Sequence, residues 1–373
     1  MKEVTITEGK GKIKIFEPED GIVSKDLPVF YNPKMKLNRD LSILLLNSIE
    51  NQNMRLADPM CGTGVRVVRF LKELDEDKIR EFYVNDLSSD ATNKLKENLE
   101  LNELSEEKLI VSNKDASIML LEEIGFDYVD IDPFGSPNNF LDAAVKRISR
   151  NGILAVTATD TAPLSGTYPK TGTRKYWADT IRNEHKHEAG VRILIRKCQI
   201  QGAQYERALI PILSYSIDHY MRIFFRVEKG KQKVDKLLKS HKYFHYCSSC
   251  ARHFESEKNI EECCSKRMDS AGPLYTGQIF DKELVSEMNN NNQDKDNEKI
   301  LTLFLEESDM PDFFYDIHQI CKKQKLAIPK TEKLMEKIRE AGYRVSRTHF
   351  LDTAIKSDID FETLKKLIIS LCA

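Results

Sequence analysis

Short apolar runs and amphipathic stretches alternate along the chain from residue 49 to about residue 160. Between the apolar runs, stretches such as 65–71 and 91–101 carry apolar residues at helical spacing. Strands that alternate with helices in this way predict a parallel, doubly wound α/β sheet. The apolar runs, which end in acidic or turn-forming residues, lie at 54–57, 82–84, 109–111, 126–131 and 152–157.

The segment before this alternation predicts an N-terminal extension of the α/β domain. Residues 3–16 alternate apolar and polar side chains around a pair of glycines, which predicts a β-hairpin. Residues 28–33 are rich in turn-forming residues and predict a connector. Asn38-Arg39-Asp40 then predict the cap of an apolar helix over residues 41–49.

The end of the α/β pattern sets the predicted domain boundary. Two further apolar runs, at 208–213 and 221–227, are expected to close the sheet as an antiparallel pair. The composition changes after them, so we expect a first domain over 1–226 and a smaller α+β domain over 227–373.

The second half of the chain predicts a different kind of structure. Lysines crowd residues 229–242, and this stretch is a candidate phosphate-binding surface, with a solvated helix face as the alternative. The polar run at 288–297 predicts a mobile loop. Residues 334–338 and 364–368 have helical spacing.

The overall composition is that of a globular protein without a strong electric field. Of the 373 residues, 40% are hydrophobic and 31% charged, and the formal net charge is −2, so any nucleic-acid surface must be local. No apolar run approaches the length of a membrane span, and the N-terminus has no signal-peptide pattern. We therefore expect a cytoplasmic protein with mostly reduced cysteines, no membrane contact and no obligate protein partner, acting as a monomer.

A glycine-rich turn, DPMCGTG at residues 58–64, follows the end of one predicted strand and precedes a helix. Gly62 and Gly64 allow the backbone to approach a ligand closely. The third glycine of the dinucleotide fingerprint is absent, so the turn favours S-adenosylmethionine over a pyrophosphate, and a nicotinamide dehydrogenase is the least favoured class. An ordinary strand-to-helix turn is the alternative reading of this motif alone.

Two acids follow the next predicted strands. Asp86 lies about 20 residues past the glycines, where a Rossmann-type fold places a carboxylate on ribose hydroxyls. Asp115 can accept the amino group of adenine, and Ala116 offers backbone contacts. Each acid alone could be a solvated loop residue or a helix cap, but their order and spacing make coincidence improbable.

The most informative motif is DPFG at residues 132–135, at the end of a predicted buried strand. Asp132, Pro133 and Phe134 bring a carboxylate, a rigid turn and an aromatic ring to the sheet edge where ligands bind. The acid suits an exocyclic amine and the ring suits the face of a planar base. Asp130 is the rival carboxylate, but we expect it to point away from the side that Asp132 uses.

Four cysteines, in two pairs, resemble a zinc site. Cys247 and Cys250 have the spacing of a chelating knuckle, and Cys263 and Cys264 follow about a dozen residues later. The second pair departs from the usual pattern because its members are adjacent, and His245, His253 or another group could replace one ligand. A degenerate site and a redox pair are the alternatives.

Taken together, these motifs resemble the archaeal and eukaryotic tRNA (guanine(26)-N2)-dimethyltransferases over nearly the whole length. The matching blocks are VFYNP at 29–33, NRD at 38–40, DPMCGTGVR at 58–66, ND at 85–86, DPFGSP at 132–137, GTYPK at 166–170, RKY at 174–176, HE at 187–188, RIL at 192–194, GPLYTG at 272–277 and SRTHF at 346–350.

The resemblance implies a Rossmann-like, S-adenosylmethionine-dependent methyltransferase domain and a tRNA substrate. Residues that the resemblance and the glycine turn together assign to the cofactor are Phe30, Arg39, Asp58, Gly62, Gly64, Arg66, Asp86, Asp115 and Ala116. Asp132 is expected to accept an N–H of guanine N2 and take up its proton, while Phe134 stacks on a base flipped out of the tRNA. Phosphate contacts are expected from 229–242 and from 344–356.

Two other classes stay open at the level of sequence. One is an amino-methyltransferase acting on another RNA or DNA base, since the Asp-Pro-Phe turn does not choose between bases. The other is a non-catalytic nucleic-acid-binding protein with a zinc module, against which the intact cofactor acids and glycines argue.

Overall fold

The structure, a computed structural model, describes residues 2–17 and 28–372. The backbone forms two compact units. The first comprises Met1–Ala158, Phe224–Lys229 and Glu287–Asn297, and the second comprises Thr159–Ile223, Gly230–Ser286 and Glu298–Ala373. The predicted boundary at residue 226 stays a prediction.

The strands of the described residues are β1 (Lys2–Glu8), β2 (Gly11–Glu17), β3 (Met54–Asp58), β4 (Ile79–Asn85), β5 (Leu109–Ser112), β6 (Phe126–Ile131), β7 (Ile148–Ala158), β8 (Arg207–Ile217), β9 (Tyr220–Lys229), β10 (His241–Tyr246), β11 (His253–Ser256), β12 (Glu262–Cys263), β13 (Lys266–Arg267), β14 (Asp269–Tyr275), β15 (Tyr315–Asp316), β16 (Val345–Arg347) and β17 (Ala354–Ser357).

The α-helices are α1 (Lys36–Ser48), α2 (Val65–Glu73), α3 (Ser89–Leu101), α4 (Ala116–Glu122), α5 (Leu141–Arg147), α6 (Thr161–Leu164), α7 (Pro169–Tyr176), α8 (Lys186–Ala203), α9 (Lys231–Leu238), α10 (Lys282–Asn291), α11 (Lys295–Glu307), α12 (Ile317–Gln324), α13 (Thr331–Glu340) and α14 (Phe361–Cys372). Short 3₁₀ helices cover Pro33–Met35 and Pro137–Asn139.

The first unit is built on a mainly parallel sheet in the order β5-β4-β3-β6-β7, followed by the part of β9 at Phe224–Lys229. The pairs from β5 to β7 are parallel. Leu56, Phe82 and Val129 on its central strands are fully buried, as expected for strands covered on both faces by helices. The predicted α/β alternation is confirmed, and so is the N-terminal hairpin, formed by β1 and β2.

The helix α1 begins earlier than the sequence predicted. Asn32, not Asn38, starts the helical run, since its side chain accepts a hydrogen bond from the backbone N–H of Lys34 and Pro33 follows it. Pro33 opens the short 3₁₀ turn that leads into α1. Asn38, Arg39 and Asp40 therefore lie inside the helix, where they are buried.

The second unit has an α+β architecture. It contains a three-stranded sheet in the order β11-β10-β14, another in the order β15-β17-β16, and the two-stranded ribbon of β12 and β13. In this unit β8 pairs with the beginning of β9, and only the residues 218 and 219 connect the two strands, which an antiparallel hairpin permits. The two apolar runs thus form neighbouring strands, as the sequence predicted.

The polar run at 288–297 is not the loop that its composition predicted. Most of it belongs to α10 and α11, which are separated by three residues. Met288 and Asn297 are buried, so packing overrides the low helix propensity of the asparagines. No helix in the described ranges is long and apolar enough to cross a membrane.

Candidate active site

The ends of four parallel strands bring the predicted acids to one edge of the sheet. Asp58 is the last residue of β3, and Asp86 directly follows β4. Asp115 follows β5 by a short turn, and Asp132 directly follows β6. Because β5, β4, β3 and β6 are parallel neighbours, these carboxylates share the carboxyl edge, where ligands bind in open α/β sheets.

The glycine turn between β3 and α2 is shaped by two residues with positive φ. Gly64 has φ 73° and Gly62 has φ 51°, a conformation that other residues seldom adopt. A Cβ at Gly62 would lie 3.2 Å from the carbonyl oxygen of Phe30, so a side chain would press against the backbone there. The Gly62 N–H donates to the Asp86 carboxylate at 3.0 Å. The turn and the acid expected to hold the ribose are therefore directly joined.

Asn85, at the end of β4, fixes the loops around this turn and was not assigned a role from the sequence. Its amide nitrogen donates to the carbonyls of Pro59 and Lys114 at 3.0 and 2.9 Å. Its amide oxygen accepts from the Ser112 hydroxyl and from the backbone N–H of Lys114. Asn85 is fully buried, so it positions the glycine turn and the Asp115 loop without reaching a ligand itself. A buried amide at a strand end was the available signal.

Asp115 caps α4, and it does so with only one carboxylate oxygen. Its Oδ1 accepts from the backbone N–H groups of Ser117 and Ile118 at 2.9 and 3.2 Å. Its Oδ2 makes no hydrogen bond to any described residue, and this leaves it available to a ligand. Ala116 is the first helical residue, where backbone N–H groups have no partner within the helix.

Arg66 holds Asp132 in place. Its Nη2 lies 2.7 Å from Asp132 Oδ2 and also donates to Asn38 Oδ1 at 3.1 Å. The other terminal nitrogen, Nη1, lies 3.0 Å from Asp130 Oδ2. Asp132 Oδ1 makes no hydrogen bond to a described residue, and the side chain is 20% exposed. One oxygen is therefore fixed and the other is open to a substrate.

The expectation that Asp130 points away from Asp132 is wrong. Residues two apart on a strand share a face, and the same arginine binds both carboxylates. Burial separates their roles instead, because Asp130 is fully buried and accepts a hydrogen bond from the Tyr128 hydroxyl at 2.5 Å. Only Asp132 is accessible from outside.

Burial raises the pKa of Asp58 to about 7, a shift that Arg66 opposes and that Asp130 and Asp132 strengthen. Its Oδ1 accepts from the Met60 N–H at 3.4 Å, inside the glycine turn. Asp58 therefore shapes the turn, and its carboxyl is partly protonated near neutral pH.

Arg39 is anchored to the N-terminal hairpin. Its Nε and Nη2 donate to the two carboxylate oxygens of Glu8 at 2.6 Å each, and Nη2 also donates to the carbonyl of Asn32. Burial acts to raise the pKa of Glu8, but Arg39, Tyr31 and Arg69 outweigh it and lower the value to about 2. Only Nη1 of Arg39 makes no hydrogen bond to a described residue.

Two phenylalanines form an aromatic pair beside Asp132. The rings of Phe134 and Phe30 meet edge to face, with centroids 4.3 Å apart. Phe134 is 62% exposed, which is unusual for a phenylalanine, whereas Pro133 is buried and holds the turn rigid. The structure thus brings Asp132 and an exposed aromatic face together on one turn, two residues apart.

The four predicted cysteines of the second unit converge. Their Sγ atoms all lie within 4.8 Å of one another, with Cys250 and Cys263 at 3.7 Å and Cys263 and Cys264 at 3.8 Å. A tetrahedron with Zn–S bonds of about 2.3 Å has edges of about 3.8 Å. Positive φ at Cys264 and Ser265 turns the adjacent thiols toward the same point.

Known proteins resemble the chain over nearly its whole length. The family model of N2,N2-dimethylguanosine tRNA methyltransferases matches residues 9–369. The tRNA (guanine(26)-N(2)/guanine(27)-N(2))-dimethyltransferase of Aquifex aeolicus is 39% identical over 374 residues, which are 96% of this chain and 94% of the relative. The tRNA (guanine(26)-N(2))-dimethyltransferase of Methanothermobacter thermautotrophicus is 37% identical, with 98% and 99% covered. Trm1 from Pyrococcus horikoshii, solved with S-adenosyl-L-methionine, matches with a TM-score of 0.88 at 33% identity, covering 98% of this chain and 100% of that chain.

Proposed function

The chain belongs to the family of N2,N2-dimethylguanosine tRNA methyltransferases, and we propose that it transfers one or two methyl groups to the exocyclic N2 of guanine 26 in tRNA. The observation that carries the proposal is Asp132 with one free carboxylate oxygen, next to the exposed ring of Phe134, at the carboxyl edge of the sheet. The methyl donor is S-adenosylmethionine, which supplies an electrophilic methyl group on a sulfonium.

The residues at this edge fit that cofactor. Asp86 would hold ribose hydroxyls, and the free oxygen of Asp115 with the Ala116 N–H would hold the adenine edge. Gly62 leaves room beside the carbonyl of Phe30 that a side chain would fill. Arg39, through the Nη1 that Glu8 leaves free, or Arg66 would hold the methionine carboxylate, since guanidinium N–H groups are suited to carboxylates.

We assign the proton chemistry to Asp132. The lone pair of guanine N2 is delocalised into the ring, which makes the amine a poor nucleophile. An N–H bond donated to Asp132 Oδ1 would localise that lone pair on nitrogen. As the N–C bond formed, the bond from the methyl group to sulfur would break with its electron pair left on sulfur, and the N2 proton would pass to this oxygen, while Arg66 would keep the carboxylate oriented. Phe134 would stack on the base and exclude water, and preformed alignment supplies much of the rate.

The substrate base must leave the tRNA stack to reach Asp132, so we propose that guanine 26 is flipped out.

Phosphate contacts are proposed for the exposed face of α9, where Val234 and Leu237 are buried and the lysines point outward. The expectation that residues 344–356 contact phosphates is wrong for Lys356, which is buried and binds Glu188.

We further propose a cytoplasmic, monomeric enzyme. The described cysteines form no disulfide, which is typical of proteins in a reducing compartment.

The activity is tested by incubating the protein with S-adenosylmethionine and an unmodified tRNA transcript. Nucleoside digestion and mass spectrometry are expected to show N2-methylguanosine, N2,N2-dimethylguanosine or both. A transcript with adenine in place of guanine 26 is the matched control and is expected to lose the product. Methyl groups on another base would overturn the proposed substrate while leaving the cofactor chemistry intact. Modification that persists in the control transcript would place the target at another guanine.

We also propose that Cys247, Cys250, Cys263 and Cys264 hold a structural zinc ion. The spacing of their Sγ atoms supports this assignment, as does Cys247, whose pKa is lowered to about 7 because backbone N–H groups of Cys250 and Ser249 outweigh its burial. A thiolate is the form that binds zinc. Four ligands would close the site, which is typical of a structural rather than a catalytic metal.

Replacing Cys250 by serine is expected to abolish zinc binding and to destabilise the protein by several kcal/mol, because metal binding contributes to folding. Elemental analysis by mass spectrometry should find about one zinc per wild-type chain and almost none in the variant. Cys198→Ser, at a buried cysteine outside the cluster, is the control and should keep the metal. Wild-type protein that carries no zinc after expression in zinc-supplemented medium would refute the assignment.

A further inference from the structure

The only tryptophan of the sequence, Trp177, stands directly after α7, and neither the cofactor edge nor the zinc cluster uses it. It is 52% exposed to solvent. Such a large aromatic surface is usually buried, or it lies where a partner binds.

The backbone at Trp177 is held in a conformation that its side chain disfavours. Its φ is 55°, in the left-handed region where a helix end normally has glycine and where a bulky residue is an outlier. Its N–H donates to the carbonyl of Thr173 at 3.0 Å, and its carbonyl accepts from Arg196 Nη1 at 3.1 Å. Residues kept in such a conformation are concentrated at functional sites.

A buried lysine covers one face of the indole ring. Lys197 Nζ lies 3.2 Å from the ring centroid, and the residue is only 7% exposed. Within the described residues this ammonium has no hydrogen bond and no ion pair, so the ring face is its partner in a cation–π contact. The exposed surface of Trp177 therefore consists of the opposite ring face and the ring edge.

The surface around Trp177 is aromatic and positively charged. Tyr168, at the other end of α7, is 60% exposed, and the two ends of this helix are about 13 Å apart at 1.5 Å per residue. Between them Lys170 and Arg174 are exposed, and α7 carries no acidic residue. Aromatic rings spaced among cations are the features by which proteins hold unpaired nucleotides.

We propose that Trp177 is a stacking platform for an unpaired base of the tRNA, with Arg174 and Lys170 contacting the adjoining phosphates. The proposal rests on the proposed function, which supplies the tRNA. Lys197 fixes the indole from below, so the open face is presented without an entropic penalty for ordering the ring. Stacking of one base on an aromatic side chain corresponds to about a 5- to 150-fold change in affinity.

The first test follows tryptophan emission while tRNA is added. Because Trp177 is the only tryptophan, all of the signal comes from this position. Quenching that saturates with tRNA is expected. Unchanged emission at saturating tRNA would overturn the stacking site.

The second test compares Trp177→Gly with Trp177→Phe. Glycine adopts φ near 55° without strain, and this relief offsets part of the stability lost with the Lys197 cation–π contact, so Trp177→Gly removes the platform from a protein that still folds. We expect it to raise KM for tRNA about 5- to 150-fold with kcat and S-adenosylmethionine affinity unchanged. Phenylalanine retains a ring and should lose less. Wild-type KM in Trp177→Gly would overturn the inference, whereas failure of the wild-type protein to methylate tRNA, with quenching intact, would refute only the proposed function.

Discussion

Replacing Asp132 by asparagine is expected to lower kcat by about 10²- to 10⁴-fold, the usual contribution of a positioned general base. Asparagine has nearly the same shape and can still accept a hydrogen bond from Arg66, but it cannot take up the proton of guanine N2. The affinity for S-adenosylmethionine should stay close to that of the wild-type protein. Single-turnover methylation of tRNA, with calorimetric titration of the cofactor, checks both expectations.

Asp130→Asn is the matched control, because both carboxylates bind the same arginine. Asp130 is fully buried and bound by the Tyr128 hydroxyl, so its loss should lower the free energy of unfolding while most of kcat survives. If Asp130→Asn lost as much kcat as Asp132→Asn at equal stability, the base would not be Asp132 alone. Normal turnover in Asp132→Asn would remove it from the mechanism altogether.

The positions of the cofactor acids were predictable because they depend on local order in the chain. A buried parallel strand must be apolar, and its last residue emerges at the carboxyl edge of the sheet, so Asp58, Asp86 and Asp132 could be placed from the sequence. The turn at Gly64 was visible for the same reason, since residues 59–64 connect β3 directly to α2 and Gly64, the last of them, has positive φ.

Features that depend on distant partners were not predictable. Asn38, Arg39 and Asp40 look like a helix cap, yet they lie inside α1 because distant groups satisfy them, such as Glu8 for Arg39. Asn85 joins the end of β4 to the loops at Pro59 and Lys114, and no single segment of the sequence shows this. The helices in the asparagine run form because tertiary packing outweighs propensity.

The adjacent cysteines illustrate a limit of spacing rules. Cys263 and Cys264 depart from the usual two-residue separation, and side chains of neighbours in a strand point to opposite faces. The structure resolves this by leaving the strand after Cys263 and placing Cys264 in the left-handed region. Sequence patterns give no warning of such a turn, because cysteine rarely adopts it.

A buried cluster of charges stabilises the second unit through one carboxylate oxygen. Glu188 is fully buried, and its Oε1 accepts from Arg192 Nε at 3.0 Å, from Lys356 Nζ at 3.0 Å and from the Phe313 N–H at 2.9 Å. Arg192 and Lys356 are themselves almost fully buried. Asp312 accepts from Arg192 at 2.8 Å. Loss of the Glu188 charge would leave two buried cations with too little negative charge to compensate them.

Glu188→Gln is therefore expected to lower the free energy of unfolding by about 3–5 kcal/mol at pH 7. Denaturant unfolding followed by circular dichroism measures this difference. The double variant Glu188→Gln with Lys356→Met removes a cation together with the carboxylate, so part of the loss should be recovered. If the double variant lost more free energy of unfolding than the two single variants lost together, the attraction between this pair would not explain the effect.

The stabilisation that Glu188 contributes is expected to depend on pH. Burial acts to raise the pKa of Glu188, but Lys356 and Arg192 outweigh it and lower the value to about 2, against 4.5 for an ordinary glutamate. The unfolded chain thus binds this proton more tightly than the folded one, so the stabilisation is complete above pH 4.5 and is lost as the pH falls toward 2. The stability difference between wild type and Glu188→Gln should stay constant from pH 5 to 8 and shrink below about pH 4.5. A difference that grows on acidification would mean that Glu188 is protonated in the folded protein. The cluster would then have to be held together by Asp312 and by Glu307, whose Oε2 lies 3.7 Å from Lys356 Nζ.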